Sequence, residues 1–280
     1  MITIWVPKRL VEIDLYNVAA QSPAALAEMS EKSYRQRVAY AAQKIRDSRA
    51  KIVMLTGPSA SGKTTSAHKV AEALEASGTP AHVISLDNFF KGAQYYPRLP
   101  DGTLDYENPD TLDMPLIRQC LSDLSTTGKT VLPIYDFTTE SRSSETETLD
   151  LKGGVCIVEG IHALNDVIVG KNPKAFKLYI AARSNVVDED GAVVFQHPWL
   201  RLCRRIVRDY KFRGSDANFT LKMWPNVRRG EKLYISPYKE NADLMFDSSL
   251  PDEVAVLKPF VVPLLEALPQ GKYEIADDIL

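Results

Sequence analysis

The chain has 280 residues, which suits one large α/β domain or a core domain with an appendage. Its 34 basic and 36 acidic residues give a formal net charge of -2, which argues against nucleic acid or an anionic membrane as a partner. Its three cysteines lack the spacing of a disulfide framework or a metal site, and no segment is apolar for long enough to span a membrane. These features predict a soluble cytoplasmic protein with buried, reduced thiols.

Residues 1–49 differ in pattern from the rest of the chain. They are rich in Ala, Glu, Lys and Arg with apolar residues at helical spacing, which predicts an extension of one or two helices. We expect a core domain over 50–270 and a C-terminal tail over 271–280.

The core alternates short apolar runs with helical segments. We predict extended segments at 51–56, 82–86, 130–137, 155–160 and 176–182, and helices at 63–78 and 113–126. This alternation indicates an α/β fold of three layers, in which a parallel sheet is covered by helices on both faces. Ligands of such sheets bind at the carboxyl ends of the strands. Residues 91–110 and 138–150 are polar and irregular, and are predicted to be long loops.

The segment from Gly57 to Thr64 matches the phosphate-binding pattern G-x-x-x-x-G-K-[ST] in full, and it lies between a predicted strand and a predicted helix. Glycines let the backbone wrap a polyphosphate, and the following helix presents its positive end. Lys63 is predicted to reach the β- and γ-phosphates, and Thr64 to bind Mg²⁺. The alternative is an ordinary glycine-rich turn. The predicted nucleotide-binding residues are Gly57, Ser59, Ala60, Ser61, Gly62, Lys63, Thr64 and Thr65.

Two carboxylates end other predicted strands. Asp87 follows the run HVISL, where it could accept the proton of an attacking hydroxyl or hold a metal through water. Glu159 ends the run VCIV, a position from which an acid can reach the metal of a nucleotide. The alternatives are a turn-capping Asp and a strand-end Glu in a surface salt bridge.

The segment 199–214 is predicted to form a helix with an arginine face. Arg201, Arg204, Arg205 and Arg208 share one side, and Arg213 lies near the helix end. Like charges at this spacing repel, so we expect an anion to face them, and a triphosphate in transfer would suit. The alternative is a solvated face balanced by acids on neighbouring elements. The chain lacks the N-K-x-D signature of guanine-specific GTPases.

The chain resembles the uridine kinase and phosphoribulokinase family of P-loop kinases over residues 50–268. The motifs that carry the resemblance are GPSASGKTT, ISLDNFF, the P-x-Y-D-F run at 133–137, VEGIHAL and RRIVRDYKFRG. The segment from 223 to 250 looks closest to a bacterial branch often labelled uridine kinase. The resemblance implies a P-loop fold with a helical lid and the use of ATP and Mg²⁺.

The resemblance also implies roles for individual residues. Asp87 would be the general base and Lys63 the phosphate ligand. Thr64, Asp87 and Glu159 would surround Mg²⁺. The lid contacts to phosphate would be Arg205, Arg208 and Arg213. On the acceptor side, Tyr135 would pack on the ring of the acceptor, and Glu107 would take the place of a ribose-binding Asp.

Three acceptor positions depart from the pattern of pyrimidine nucleoside kinases. Phe90 replaces a Tyr, Glu140 a base-reading His, and Met223 a base-reading Gln. Because a site built on hydrogen bonds rejects ligands that leave them unpaired, such changes can move specificity. We therefore expect an ATP-dependent kinase of a small hydroxyl compound, with uridine or cytidine as acceptor. The alternatives are a kinase of a sugar, a sugar phosphate or another nucleoside, and a nucleotide-binding regulator with little turnover. The sequence leaves open ATP against GTP as donor and the formation of a homo-oligomer.

Overall fold

The computed structural model describes residues 10–136, 139–169 and 174–280. Phe137, the last residue of the P-x-Y-D-F run, and residues 1–9 of the predicted extension lie outside these ranges. Within them the strands are β1 (Leu10–Glu12), β2 (Ile52–Thr56), β3 (Ala81–Ser85), β4 (Lys129–Asp136), β5 (Ser141–Asp150), β6 (Val155–Glu159), β7 (Phe176–Ala181), β8 (Asn185–Val187), β9 (Val193–Phe195) and β10 (Leu244–Asp247).

The helices are α1 (Ile13–Ala20), α2 (Pro23–Ser48), α3 (Lys63–Ala76), α4 (Met114–Thr126), α5 (Asp166–Val169), α6 (His197–Phe212), α7 (Ala217–Gly230), α8 (Glu253–Glu266) and α9 (Glu274–Ile279). None of the helices in the described part of the chain is long and apolar enough to cross a membrane.

The central sheet has five parallel strands in the order β10-β7-β2-β6-β3. All five residues of β2 and of β6 are buried, as expected of strands covered on both faces. One face carries α4 and the other carries α3, so the predicted three-layer α/β fold is confirmed. Register places Glu159 level with Leu55 and with Ser85, so that three strands end together at one edge.

Helix α2 of the N-terminal extension is part of this core. Its inner side chains, among them Val38, Ala41 and Ile45, pack with α3 and the sheet in one buried cluster. Alanines on α2 let this helix approach α3 and the sheet closely, because they occupy little volume. The extension therefore covers one face of the sheet.

The polar segment 138–150 differs from its prediction as a long loop. Its residues 141–150 form β5, which pairs antiparallel with β4 in a two-stranded ribbon. Alternating Thr and Glu suits such a ribbon, since β-branched residues favour strands and polar ones tolerate an exposed face. An ion pair of 2.9 Å between Lys129 and Asp150 closes its end. The strand β10 of the main sheet was also not predicted.

Segment 91–110 is irregular, as predicted. It contains short 3₁₀ turns at Ala93–Tyr95 and Pro109–Thr111, and two isolated β-bridges, between Phe90 and Leu112 and between Arg98 and Leu104.

The lid is a separate apolar cluster built from α6, α7, α8 and α9. Helix α9 falls within the predicted C-terminal tail.

Candidate functional site

The phosphate loop joins the central strand β2 to α3 through an unusual backbone. Ala60 and Gly62 have φ angles of 58° and 83°, and positive φ at the non-glycine Ala60 is a strained conformation of the kind found at functional sites. Gly57 has no room for a side chain, because a Cβ there would lie 2.1 Å from the carbonyl oxygen of Ile180. The loop is thus folded tightly against β7 and turns back on itself before α3.

The polar atoms of this loop fit a bound polyphosphate. Lys63 lies at the start of α3, and burial lowers the pKa of its ammonium although the carboxylates of Glu159, Asp87 and Glu107 oppose that effect. The Ser61 hydroxyl is fully buried and has no hydrogen-bond partner among the described residues. Thr64 and Thr65 are exposed at the N-terminus of α3. A cation, a hydroxyl and a helix N-terminus facing one loop suit phosphate oxygens.

The predicted metal ligands lie together at the same sheet edge. The Thr64 hydroxyl donates a hydrogen bond of 3.2 Å to Oε1 of Glu159, which is buried at the end of β6. Asp87 begins the turn after β3, and burial followed by repulsion from Glu159 raises the pKa of its carboxyl. A divalent cation would relieve this repulsion. Mg²⁺ suits such a set, because it takes one or two protein carboxylates and otherwise keeps water and phosphate oxygens.

Among the described residues, no three His, Cys, Asp or Glu side chains form a group that could hold a metal by themselves. A cation at this edge would therefore depend on Thr64 and on a bound phosphate in addition to the carboxylates.

The arginines of α6 fall into two groups. Arg201 and Arg204 are paired with acids of neighbouring elements: Arg201 is fully buried with both its terminal nitrogens on Glu231, at 3.1 and 2.9 Å, and Arg204 is paired with Glu253. For these two residues the structure differs from the expectation of a facing triphosphate. Both still bind the phosphate loop, since Arg201 donates to the Ser59 carbonyl and Arg204 to the Ala60 carbonyl.

The second group is Arg205, Arg208 and Arg213. All three contact the buried carboxylate of Asp209, at 3.3, 2.7 and 3.9 Å, and Arg205 also donates to the Ser59 hydroxyl at 2.7 Å. Burial lowers the pKa of Arg205 and Arg213, and their crowding with Arg208 lowers both further. One carboxylate against three guanidinium groups leaves an excess of positive charge. We call the phosphate loop, Asp87, Glu159 and these arginines the donor half.

The predicted acceptor residues surround a cluster of aromatic rings. Phe90 lies 5.5 Å from the ring of Tyr135 and 5.8 Å from that of Tyr96, which in turn packs edge-on against Tyr106 at 5.6 Å. The hydroxyls of Tyr96 and Tyr135 are 3.4 Å apart. Glu140 is exposed in the β4–β5 turn with φ of 49°. Burial raises the pKa of Tyr106 and the charge of Glu140 adds to it, while the pKa of Tyr96 is raised by burial, then by Tyr135 and less by Glu140.

Glu107 joins this cluster to the donor half. Burial raises the pKa of its carboxyl while Arg205 and Lys63 oppose the change, and its Oε2 is buried with no hydrogen-bond partner among the described residues. The backbone of Gly230 packs on it so closely that a Cβ there would lie 2.3 Å from the Cβ of Glu107. The aromatic cluster, Glu107 and Glu140 form what we call the acceptor half.

Met223 is the exception among the predicted acceptor residues. It lies partly buried on α7, and no described ring contact, hydrogen bond or ion pair links it to the aromatic cluster.

Several residues of the site were missed in the sequence. Asp209 was hidden among the arginines of α6, and Tyr96 and Tyr106 lie in the irregular segment 91–110. His162, within the VEGIHAL motif, is 2% exposed, and burial lowers its pKa to about 4 although backbone groups of Glu107 and Tyr234 oppose this. Asp105 is buried and receives a hydrogen bond of 2.8 Å from Arg229. The signal for the tyrosines was their number in one loop, whereas the burial of His162 and the pairing of Asp105 with Arg229 have no local pattern.

The comparisons with known proteins agree with this geometry. Residues 52–255 match the model of the Phosphoribulokinase / Uridine kinase family. The chain is 32% identical over 211 residues to a uridine kinase of Macrococcus caseolyticus, covering 75% of this chain and 93% of the relative. It is 30% identical over 206 residues to a uridine kinase of Staphylococcus haemolyticus, covering 73% and 91%.

Among solved structures, a provisionally named fructose transport system kinase from Silicibacter sp. TM1040 superposes with a TM-score of 0.59. The match covers 75% of this chain and 98% of that one at 19% identity, which shows a shared fold.

Proposed function

Because the chain belongs to the Phosphoribulokinase / Uridine kinase family, we propose that it transfers the γ-phosphate of ATP to a hydroxyl of a nucleoside, with uridine or cytidine as the acceptor. The observation that carries this proposal is that Lys63 and Asp87, at one edge of the sheet, lie close enough to Glu107 of the segment 91–110 for their charges to act on one another. A phosphate-binding cation, a proton acceptor and an unpaired carboxylate facing the acceptor are the groups this transfer needs.

Each half has a defined task in the proposed reaction. The loop Gly57–Thr65 holds the polyphosphate, and Lys63 neutralises its terminal charge. Thr64 and Glu159, with Asp87 nearby, would hold Mg²⁺, which would supply positive charge to neutralise the bound phosphates. Asp87 accepts the proton of the attacking hydroxyl, and Arg205, Arg208 and Arg213 stabilise the charge that develops during transfer.

The acceptor half would orient the nucleoside. The aromatic cluster of Tyr135 and Tyr96, which are 7% and 8% exposed, would pack against a base, and Oε2 of Glu107, which has no hydrogen-bond partner among the described residues, can accept hydrogen bonds from ribose hydroxyls. The Glu107 carboxylate is next to Lys63 and Asp87. A ribose that is bound to Glu107 would therefore have another hydroxyl within reach of Asp87, the proposed proton acceptor. We propose residues 50–270 as the catalytic unit, and a cytoplasmic location suits its three buried free cysteines.

A different small alcohol is the second candidate acceptor. The exposed Glu140 stands beside Tyr96 and Tyr106, where the resemblance places a base-reading His, and a carboxylate there could bind the hydroxyls of a sugar.

A panel of acceptors tests both proposals. The protein is incubated with ATP and Mg²⁺ and with uridine, cytidine, adenosine, ribose, fructose or glycerate in turn, and the product is identified by its mass. We expect uridine and cytidine to have the highest kcat/KM, because two rings and one carboxylate match a base and a ribose. A sugar preferred by tenfold or more would replace the nucleoside as acceptor. Binding of ATP with no transfer to any compound would favour the low-turnover regulator.

A further inference from the structure

A cavity opens beside the phosphate loop, on the side of the N-terminal extension. Its volume is about 690 Å³, within the range of small-molecule sites. One wall is α2, between Glu31 and Ala39, and the opposite wall is α3, between Thr65 and Ala73. The loop that follows β10, from Ser248 to Leu250, closes the end.

The cavity is continuous with the phosphate loop. Gly62 and Thr65, two residues of that loop, belong to its lining. The residues described as lining it include none of the carboxylates that face Lys63, so it lies apart from the acceptor half. A polyphosphate in the loop with its terminal group at Lys63 and Glu159 therefore has its other end towards this cavity. The group esterified to that end of the polyphosphate would then enter this cavity.

The wall formed by α2 is fixed to the rest of the site. The Tyr34 hydroxyl lies 2.9 Å from the Ser66 hydroxyl on α3, and the Tyr34 ring packs edge-on against Phe246 of β10. Arg37 donates a hydrogen bond of 2.9 Å to the carbonyl of Ser249 in the loop that closes the cavity. The Ser248 hydroxyl in turn donates to the carbonyl of Ser61 in the phosphate loop. These contacts make α2, the closing loop and the phosphate loop one connected unit.

The lining suits a flat base on a ribose. Val38, Ala39, Ala73 and Leu250 supply apolar surface from three different elements. Charged groups are also present in the lining, at Glu31, Arg35, Lys69 and Glu72 and at the ion pair of Arg204 with Glu253. A mainly apolar slot with a few polar groups is the usual form of a nucleotide-base site.

We propose that helix α2 of the N-terminal extension forms one wall of the site for the base and ribose of the donor nucleotide, so that residues outside the matched region contribute to the affinity for the donor. This inference rests on the proposed function for the identity of the donor. The family match begins at residue 52, so α2 lies outside the matched region and this wall belongs to the chain's own extension. Residues 31–39 would then set the affinity for the donor base, although they touch neither the metal ligands nor the acceptor.

The test narrows the cavity from α2 without altering the phosphate loop. Ala39 is exposed and lines the cavity, so Ala39→Trp places a large ring in it. Gln36→Trp is the matched control, because Gln36 is exposed on the same helix and is not among the lining residues. Full-length wild type and both variants are titrated with ATP and with tripolyphosphate, which carries the phosphates and no base. Circular dichroism melting curves check that both variants fold.

We expect Ala39→Trp to weaken ATP binding at least tenfold and to change tripolyphosphate binding less than twofold, while Gln36→Trp changes neither. Equal ATP affinity in the two variants would overturn the proposal, as would a parallel loss of ATP and tripolyphosphate. As a second measurement, Ala39→Trp should raise KM for ATP and leave KM for the acceptor unchanged. Nucleotide binding is read without an acceptor. A wild-type chain that binds ATP and phosphorylates nothing would thus refute the proposed function and leave this inference standing.

Discussion

The donor half and the acceptor half of the site are built in different ways. The donor half is a backbone structure: a loop pressed against β7 at Gly57, strained at Ala60, and held by Arg201 and Arg205 through Ser59. The acceptor half is made of side chains, four aromatic rings and two carboxylates, most of them on irregular segments. A backbone cradle binds any polyphosphate alike, whereas a side-chain pocket changes its ligand with single substitutions. This difference predicts that chemistry and specificity are separated in this molecule.

The largest expected effect tests the point where the halves meet. Asp87→Asn keeps the size of the side chain and removes its capacity to accept a proton, so kcat should fall by about 10² to 10⁴. ATP affinity should change little, because the phosphate loop is untouched. Steady-state kinetics and ATP titration measure the two quantities, with the exposed Asp101→Asn as control. Unchanged turnover would remove Asp87 from the role of base.

The second prediction concerns the stability of the acceptor half in acid. His162 lies next to the Glu107 segment, and its native pKa of about 4 is below the value of about 6.5 expected in the unfolded chain. Between these values the unfolded state binds a proton that the native state does not. The contribution of the neutral His162 to the free energy of unfolding is thus complete above about pH 6.5. It is lost as pH falls towards 4, by about 3 kcal/mol.

Urea unfolding of wild type and His162→Phe across this range checks the prediction, with the exposed His68→Phe as control. The wild type should lose more stability than His162→Phe as pH falls. Parallel curves for these two proteins would show that His162 is not the group responsible.

The third prediction tests the donor half as a backbone structure. Gly57→Ala puts a Cβ 2.1 Å from the Ile180 carbonyl oxygen, so β7 or the loop must move, and we expect a loss of about 1–3 kcal/mol in stability. ATP affinity should fall at least tenfold, because the cradle is displaced. Gly78→Ala is the control for ATP binding, since it lies beyond the end of α3 and outside the phosphate loop, although its φ of 82° means that alanine also costs some stability there. If Gly57→Ala bound ATP as well as Gly78→Ala does, the tight packing of the loop would not matter for phosphate binding.

The smallest effect should be confined to the acceptor half. Gly230→Ala places a Cβ 2.3 Å from the Cβ of Glu107, which must shift away from the site. We expect KM for the acceptor to rise about tenfold, while KM for ATP stays within twofold, because one charged hydrogen-bonding group is worth about 1.5 kcal/mol. A rise in both constants would mean that the halves are not separable. Initial rates measured while the ATP and acceptor concentrations are varied in turn distinguish the two results.

The difference between the donor half and the acceptor half also explains which features could be predicted from the sequence. The run Gly57–Thr64 and the strands around it are local patterns, so the fold, the loop and the carboxylates at the strand ends could be predicted. Asp209 could not, because its importance depends on three arginines folding around it. Residues 141–150 read as a loop because most side chains of β5 are polar and exposed or partly exposed, so that this strand of the ribbon shows no apolar alternation.

The place of Tyr96 in the acceptor half and the packing of the extension on the core escaped prediction for a related reason. Tyr96 meets Tyr135 across 39 positions of the chain, and the Tyr34 hydroxyl meets Ser66 across 32. Such contacts depend on tertiary packing, and no spacing rule describes them. The extension looked like an appendage, since an amphipathic helix gives no indication of which surface it covers.

The most direct test of the central claim, that the two halves form one phosphotransferase site, is the stoichiometry of a single reaction. The protein is mixed with ATP, Mg²⁺ and uridine, and ADP and phosphorylated uridine are quantified by mass spectrometry over time. We expect equal amounts of the two products at every time point and at least a hundredfold less ADP when the acceptor is omitted, because the acceptor supplies the attacking hydroxyl. ADP formed at the same rate without an acceptor, or no phosphorylated product with any compound of the panel, would contradict it.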